Sequence, residues 1–299
     1  MLVVELWGLG DVALALPFLR AASRHAEVTL AAKPHARALL ARFAPEVQLV
    51  ELAAPWTAFR GKYQFLRWPW PALRRSVRAL RAARPEVGVS ARPDPRDHLL
   101  LWLAGARRRL GFPRAASDFW LTQALSRPGD PHRAAHWARL AEALGWSLEP
   151  LPAGVRRPVS RVIIHPGAAQ PVRRWPLARF EEVASRLREA GYCVDFVDER
   201  DGSLDQLLQT LERGDVFIGN DSGPGHLAAA LGRPTFTVFG PQLPERFHPQ
   251  HAHAAWLPGG PCPHKPCFDA CRFAAAHCLT GTSVDDAWAA IQRWLRELA

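Results

Sequence analysis

The stretch Ile218-Gly219-Asn220-Asp221-Ser222-Gly223-Pro224-Gly225-His226-Leu227-Ala228-Ala229-Ala230 reads as the end of a buried strand, a polar glycine-rich turn and the start of a small-residue helix. Ser222 suits an N-cap, and Pro224 suits the first turn, where its missing N–H costs nothing. A helix that starts this way offers backbone N–H groups and the positive end of its dipole to a phosphate. In open α/β sheets, ligands bind beyond the carboxyl ends of the strands, which is where this turn falls. Asn220 is the only asparagine in the chain, so a composition that otherwise excludes Asn keeps it here.

Outward from this turn the pattern is strand and helix in alternation. Arg161–His165, Cys193–Val197, Val216–Gly219 and Thr235–Phe239 read as strands, with helices at Leu177–Ala190, Leu204–Glu212 and Gly225–Leu231. Val284–Leu298 is an amphipathic terminal helix with Ala287, Trp288, Ile291, Trp294 and Leu295 on its apolar face. Before a Pro/Gly/Arg-rich linker at Leu148–Ser160, the same alternation occupies the first half. Leu2–Leu6, Glu27–Ala32, Val47–Leu52 and Val87–Ser90 are its strands. Helices are expected at Val12–His25, Pro34–Phe43 and His98–Ala106, the last running into Arg107-Arg108-Arg109. Trp56–Arg84 interleaves aromatic and basic residues, and the prolines of Trp68-Pro69-Trp70-Pro71 make its first part a loop. The expectation is α/β: two Rossmann-like domains facing across a cleft. Their bounds are 1–154 and 155–283, with a helix at 284–299 packing back towards the first.

Bulk properties narrow the classes. A chain of 299 residues, 48% hydrophobic, suits two soluble domains, and no apolar run is long enough for a membrane span. The apolar start Met1–Leu6 is interrupted by Glu5 and lacks a basic leader, so it reads as a strand and not a signal peptide. The formal charge is +10, and all but Lys33, Lys62 and Lys265 of the 38 basic residues are arginines. Attraction to anionic surfaces and thermophilic compositional bias both account for that charge. Cys262, Cys267, Cys271 and Cys278 lack the paired C-x-x-C spacing of a zinc ribbon. One or two disulfides are expected among them, with free buried thiols as the alternative. Cys193 falls in a strand and is expected in the core.

Several residues carry candidate chemistry. His165-Pro166-Gly167-Ala168 ends a strand, and Arg173-Arg174 lies at the mouth of the next helix, where two guanidinium groups suit a diphosphate. Phe239-Gly240-Pro241 makes a second tight turn at the same sheet end. In the first half, Asp11 follows Gly8-Leu9-Gly10 at a helix start, where the dipole favours an ionised carboxylate that can serve as a general base. Gly8-x-Gly10-x-x-Ala13 also fits a loose dinucleotide fingerprint. That reading requires an acid at the end of the second strand, and the chain has Lys33 there. An oxidoreductase or a nucleic-acid binder would also leave the Asn220–His226 block without a role.

Together, Leu9-Gly10-Asp11, His165-Pro166-Gly167-Ala168, Arg173-Arg174-Trp175-Pro176, Asn220–Leu227 and Phe239-Gly240-Pro241 resemble glycosyltransferase family nine, the ADP-heptose:lipopolysaccharide heptosyltransferases. The resemblance implies a GT-B fold and inverting, metal-independent sugar transfer with no cofactor. The chain has no Asp-x-Asp motif of the kind that holds a metal on a diphosphate. By resemblance, Asp11 is the catalytic base. His165, Gly167, Arg173, Arg174, Asn220, Asp221, Ser222, Gly223, His226 and Gly240 bind the donor, a nucleotide-diphosphate sugar such as ADP-heptose. Gly10, Arg60, Lys62 and Arg67 meet an anionic glycolipid or glycan acceptor. The resemblance implies a cytoplasmic protein in peripheral contact with the inner membrane surface, and no nucleic acid.

Two departures stand out. Between Val197 and Leu204 the family usually has an additional helix and strand bearing a ribose-binding acid, and here Glu199 is the available substitute. Ser90-Ala91-Arg92-Pro93-Asp94 also lacks the family's Asp-x-Gln-Gly-like acceptor loop. The alternative reading is a degenerate nucleotide-sugar-binding protein of the same fold.

Overall fold

The computed structural model describes residues 1–58, 62, 64–150, 152, 158–197, 202–267 and 270–299. The chain divides into two compact units, Met1–Pro150 and Leu151–Ala299. In the first, β1 (Leu2–Val4), β2 (Thr29–Ala32), β3 (Gln48–Glu51), β4 (Val87–Ser90), β5 (Arg108–Gly111) and β6 (Gln123–Ala124) form one sheet. Its order is β3-β2-β1-β4-β5-β6 and every pairing is parallel. The connecting helices are α1 (Leu9–Ser23), α2 (Ala36–Phe43), α3 (Trp70–Ala82), α4 (Pro95–Leu103) and α5 (Arg133–Ala143). Helices α1, α2 and α5 pack among themselves, as do α3 and α4, which covers both faces of the sheet. Burial on both faces explains why the central strands are wholly apolar: Leu2, Val3 and Val4 are all buried.

The second unit has β7 (Arg161–His165), β8 (Cys193–Phe196), β9 (Val216–Asn220), β10 (Thr235–Val238) and β11 (Ala255–Leu257), in the order β11-β10-β9-β7-β8. These pairings too are parallel. Its helices are α6 (Leu177–Glu189), α7 (Leu204–Arg213), α8 (Gly223–Ala230), α9 (Pro244–Phe247), α10 (His277–Thr280) and α11 (Val284–Leu298). In each sheet the chain winds outward in one direction and then in the other. The reversal opens a crevice beside β1 and β4 in the first unit, and beside β7 and β9 in the second.

Several expectations change. The prolines of Trp68-Pro69-Trp70-Pro71 start a helix: Pro71 takes the second position of α3, where no hydrogen bond is lost. Helix α4 begins earlier than His98, because Asp94 accepts from Arg96 N at 2.9 Å and Pro95 opens the first turn. It ends at Gly105, whose φ of +78° stops it, so Arg108 and Arg109 lie in β5 and not in a helix. All five cysteines are free, and Cys193 is exposed because β8 is an edge strand with an open side.

The terminal helix packs its apolar face on the core of the second unit. Ala287, Ile291, Trp294, Leu295 and Leu298 join the core of Val162, Ile164, Phe180, Phe236 and Val238. Trp294 packs 5.6 Å from Phe236, ring centre to ring centre, and its indole donates to His253 O at 2.9 Å. Ser283 caps the helix, and Asp285 and Asp286 complement its dipole. Trp294→Ala should therefore destabilise the second unit by roughly 3–5 kcal/mol. Urea unfolding followed by circular dichroism checks this, and an unchanged midpoint would mean that the helix is not part of that core.

Candidate functional site

The second unit's crevice is built from the ends of β7 and β9. Asn220 is buried, and its side chain crosses between the two strand ends: Nδ2 donates to Pro166 O at 2.8 Å, and Oδ1 accepts from Trp175 N at 3.0 Å. The loop carrying Gly167, Arg173 and Arg174 is thereby tied to β9. His165, fully buried, lies 3.3 Å through Nδ1 from Ser222 Oγ. Gly167 leaves room for that imidazole, since a Cβ there would stand 2.8 Å from His165 Nε2.

The expected side-chain cap of α8 is not made. Ser222 has the extended backbone of an N-cap residue, but its hydroxyl is turned to His165, so no side-chain oxygen caps the helix. Gly223 is the first helical residue, and His226 sits one turn in, largely buried. Asp221, 6% exposed, pairs with the guanidinium of Arg173 at 3.6 Å. Arg174 turns the other way, its Nε donating to Ala168 O at 2.8 Å as a brace within the loop. Gly240 serves packing: a Cβ there would meet Leu279 Cγ at 2.6 Å. Of the residues expected at the donor, His165, Gly167, Arg173, Asn220, Asp221, Ser222, Gly223 and His226 thus converge on one sheet end.

The first unit's crevice is made by charge. Asp11 is the third residue of α1; its Oδ2 accepts from Gly8 N at 3.0 Å, and its Oδ1 is ion-paired with Arg92 from the loop after β4. Arg92 also lies 3.8 Å from Glu5 Oε1 and stacks 4.8 Å above the Trp7 ring. Burial works against the Arg92 charge, but Asp11 and Glu5 outweigh it and raise its pKa. Glu5 is almost completely buried, and that burial pushes its carboxyl up to about 7; Arg92 pulls it down and Asp11 up. Burial also lowers Lys33, which faces both carboxylates. Lys33, the cation where a dinucleotide site needs an acid, is thus a partner of this cluster.

Gly10 is the second residue of α1, beside Asp11. Arg67 ends a short 3-10 turn, Phe65–Arg67, and is exposed, with Nη1 3.4 Å from Gln64 Oε1. Lys62 is half-buried; Arg60 and Glu199 lie outside the described residues. Sequence reading points to Asp11 but not to Arg92 or Glu5. The available signals are an arginine in place of the expected acceptor-loop residues, and an acid closing a strand that is otherwise apolar.

Residues 201–277 match the family described as Glycosyltransferase family 9 (heptosyltransferase), a span that contains the Asn220–His226 turn. Lipopolysaccharide heptosyltransferase 2 of Escherichia coli K12 is 31% identical over 117 residues, covering 30% of this chain and 33% of that protein. The matching parts span between about a tenth and a third of the length of the curated relatives. A family 9 glycosyl transferase structure from Veillonella parvula superposes with a TM-score of 0.76 at 21% identity, covering 99% of this chain and 97% of that one. The E. coli heptosyltransferase WaaC with ADP gives a TM-score of 0.71 at 16% identity, covering 100% and 99%. The fold of the chain is thus GT-B-like, and residues 201–277 of its second unit match the family 9 glycosyltransferase model.

The Glu5 shift sets a stability dependence on pH. A carboxyl raised from 4.5 to about 7 keeps its proton in the folded state where the unfolded chain has released it. Its contribution is fully present below about pH 4.5 and is lost as the pH rises through 7. Glu5→Gln should therefore gain stability relative to wild type between pH 5 and 8, as measured by thermal unfolding at each pH. A difference that stays constant over that range would refute the shift.

Proposed function

We propose that this chain is an inverting, metal-independent glycosyltransferase that moves a sugar, heptose by resemblance, from a nucleoside-diphosphate donor to an anionic glycolipid or glycan acceptor. The carrying observation is the arrangement beside β7 and β9. A helix start without a side-chain cap, an arginine and two buried histidines gather there, and of these the helix start and His226 fall within the span that matches the family. Backbone N–H groups at α8 and the Arg173 guanidinium suit the two phosphates, as charge-assisted contacts do. A solved structure of the same fold, the E. coli heptosyltransferase WaaC, is described with ADP, which supports a nucleotide as part of the ligand.

The reaction follows from the groups available. The acceptor oxygen bonds to the anomeric carbon while the bond from that carbon to the diphosphate oxygen breaks, inverting the centre in one displacement. Asp11 takes the hydroxyl proton. Arg173 and the α8 N–H groups take up the charge that builds on the leaving diphosphate, where fixed dipoles act without reorganising. Arg92 pairs with the Asp11 carboxylate and orients it, with Lys33 nearby. The enzyme acts in the cytoplasm, at the inner membrane surface.

A second reading is a sugar-nucleotide-binding protein without turnover. It draws on the short connection between β8, ending at Phe196, and α7, starting at Leu204, where family members carry additional structure.

Asp11→Asn should cut turnover by about 10²–10⁴ while donor affinity holds, because the amide cannot accept the proton. Arg173→Ala should instead weaken donor binding by roughly 1.5–3 kcal/mol. Calorimetry with ADP and ADP-sugars, paired with a transfer assay, separates the two. Full activity in Asp11→Asn would sink the base assignment. Tight donor binding by a wild type that transfers nothing to any acceptor would leave the second reading standing.

A further inference from the structure

The Trp-rich segment of the first unit does more than present charge. Leu73 and Val77 of α3 face Leu99, Leu100 and Leu103 of α4 across a cavity of about 480 Å³, well within the usual size range of small-molecule sites. Trp56, Trp68 and Trp70 close its third side, the rings tilted against one another in series at 5.6 and 5.4 Å between centres. The polar lining is all cationic: Arg74 and Arg78, one turn apart on α3, and Arg96 from α4. Asp94 neutralises Arg96 at 2.7 Å, and no acid is among the residues that line the cavity. An apolar chamber with a positive rim matches a molecule with a hydrocarbon tail and an anionic head.

Two further features point the same way. Trp56 and Trp68 both keep a buried indole N–H without an acceptor among the described residues, whereas buried indoles usually find one. An oxygen-bearing head or ester group entering the cavity would supply it. Around it, Phe65, Leu66, Trp70, Trp102 and Leu103 are exposed, Leu66 completely. Aromatic and aliphatic residues set among arginines are the composition of a surface that rests on a bilayer.

We propose that this cavity takes one acyl chain of an anionic membrane lipid, with Arg74 and Arg78 on the lipid's phosphate. The site would draw a chain out of the bilayer and so hold the lipid at the first unit. Its identification as the acceptor's tail rests on the proposed function, but the binding itself does not.

Dodecyl phosphate below its micellar concentration tests the binding with no sugar donor present. Wild type should bind it, as read from tryptophan fluorescence and from the rise in melting temperature that a native-state ligand causes. Each methylene removed from the probe should weaken binding by about fourfold. Inorganic phosphate should not bind detectably, and dodecyl maltoside should bind at least tenfold more weakly. The double variant Arg74→Glu/Arg78→Glu changes exposed side chains and keeps the fold; it should lose at least tenfold in affinity. Val77→Trp, which fills the cavity, should abolish binding of phosphate and maltoside probes alike.

Equal affinity for the two head groups would overturn the anionic assignment, and so would a double variant that binds like wild type. Association with phosphatidylglycerol vesicles, without any binding of the monomeric probe, would overturn the cavity in favour of simple surface attraction. If the probe binds as expected and no sugar is transferred, the lipid site stands and the proposed activity falls.

Discussion

One carboxamide holds the ligand end of the second unit together. Asn220 reaches from the end of β9 to the carbonyl of Pro166 and the amide of Trp175, so the long loop after β7 is fixed at both of its ends. Trp175 is in turn locked by its edge contact with Phe180 at 4.9 Å and by its indole hydrogen bond to Thr282 O at 3.0 Å. The position of Arg173 against Asp221 is therefore inherited from the core and not chosen by the loop. A side chain that both donates and accepts, at that length, is what the span requires; Asp would lack the donor and Gln would overreach. A chain that has dispensed with every other asparagine retains this one.

The first unit solves the same problem with charge. Arg92, carried by the loop after β4, gathers Glu5 from the end of β1 and Asp11 from the first turn of α1, and Lys33 adds a second cation from the end of β2. Such a group depends on its shared cation: removing Arg92 takes the ion-pair partner from Asp11 and leaves the buried Glu5 without it, which costs more than the pair contributes. The two crevices share the same origin, a reversal of strand order in a parallel sheet. They differ in what fills it: a hydrogen-bonded carboxamide and imidazoles in one, paired ions in the other.

The alternation of strand and helix, and the turn after β9, were legible because both are local. Period, proline, glycine and cap residues within a dozen positions determine them. What escaped depends on contacts across the fold. Ser222 looks like a cap until His165, remote in sequence, competes for its hydroxyl. Cys193 looks buried until β8 proves to be at the sheet edge. The arginines after α4 look like a helix end until the positive φ of Gly105 turns them into a strand. Arg92 could not be tied to Asp11 from composition, since only the adjacency of β1 and β4 brings them together. The prolines near Trp70 carried the right signal with two meanings, breaking a loop or opening a helix.

The uncapped start of α8 has a consequence for how substrate and scaffold divide the work. A side-chain cap contributes on the order of 1 kcal/mol to a helix, and α8 forgoes it by giving the Ser222 hydroxyl to His165. Under the proposed function, the donor's phosphate occupies the missing position, so the ligand is the last turn-forming residue of the helix it binds. Folding then stops one bond short and binding finishes it. The first turn of α8 would fray in the empty protein and stiffen in the loaded one, so the nucleotide would report its own presence through the rigidity of a backbone segment it never covalently joins.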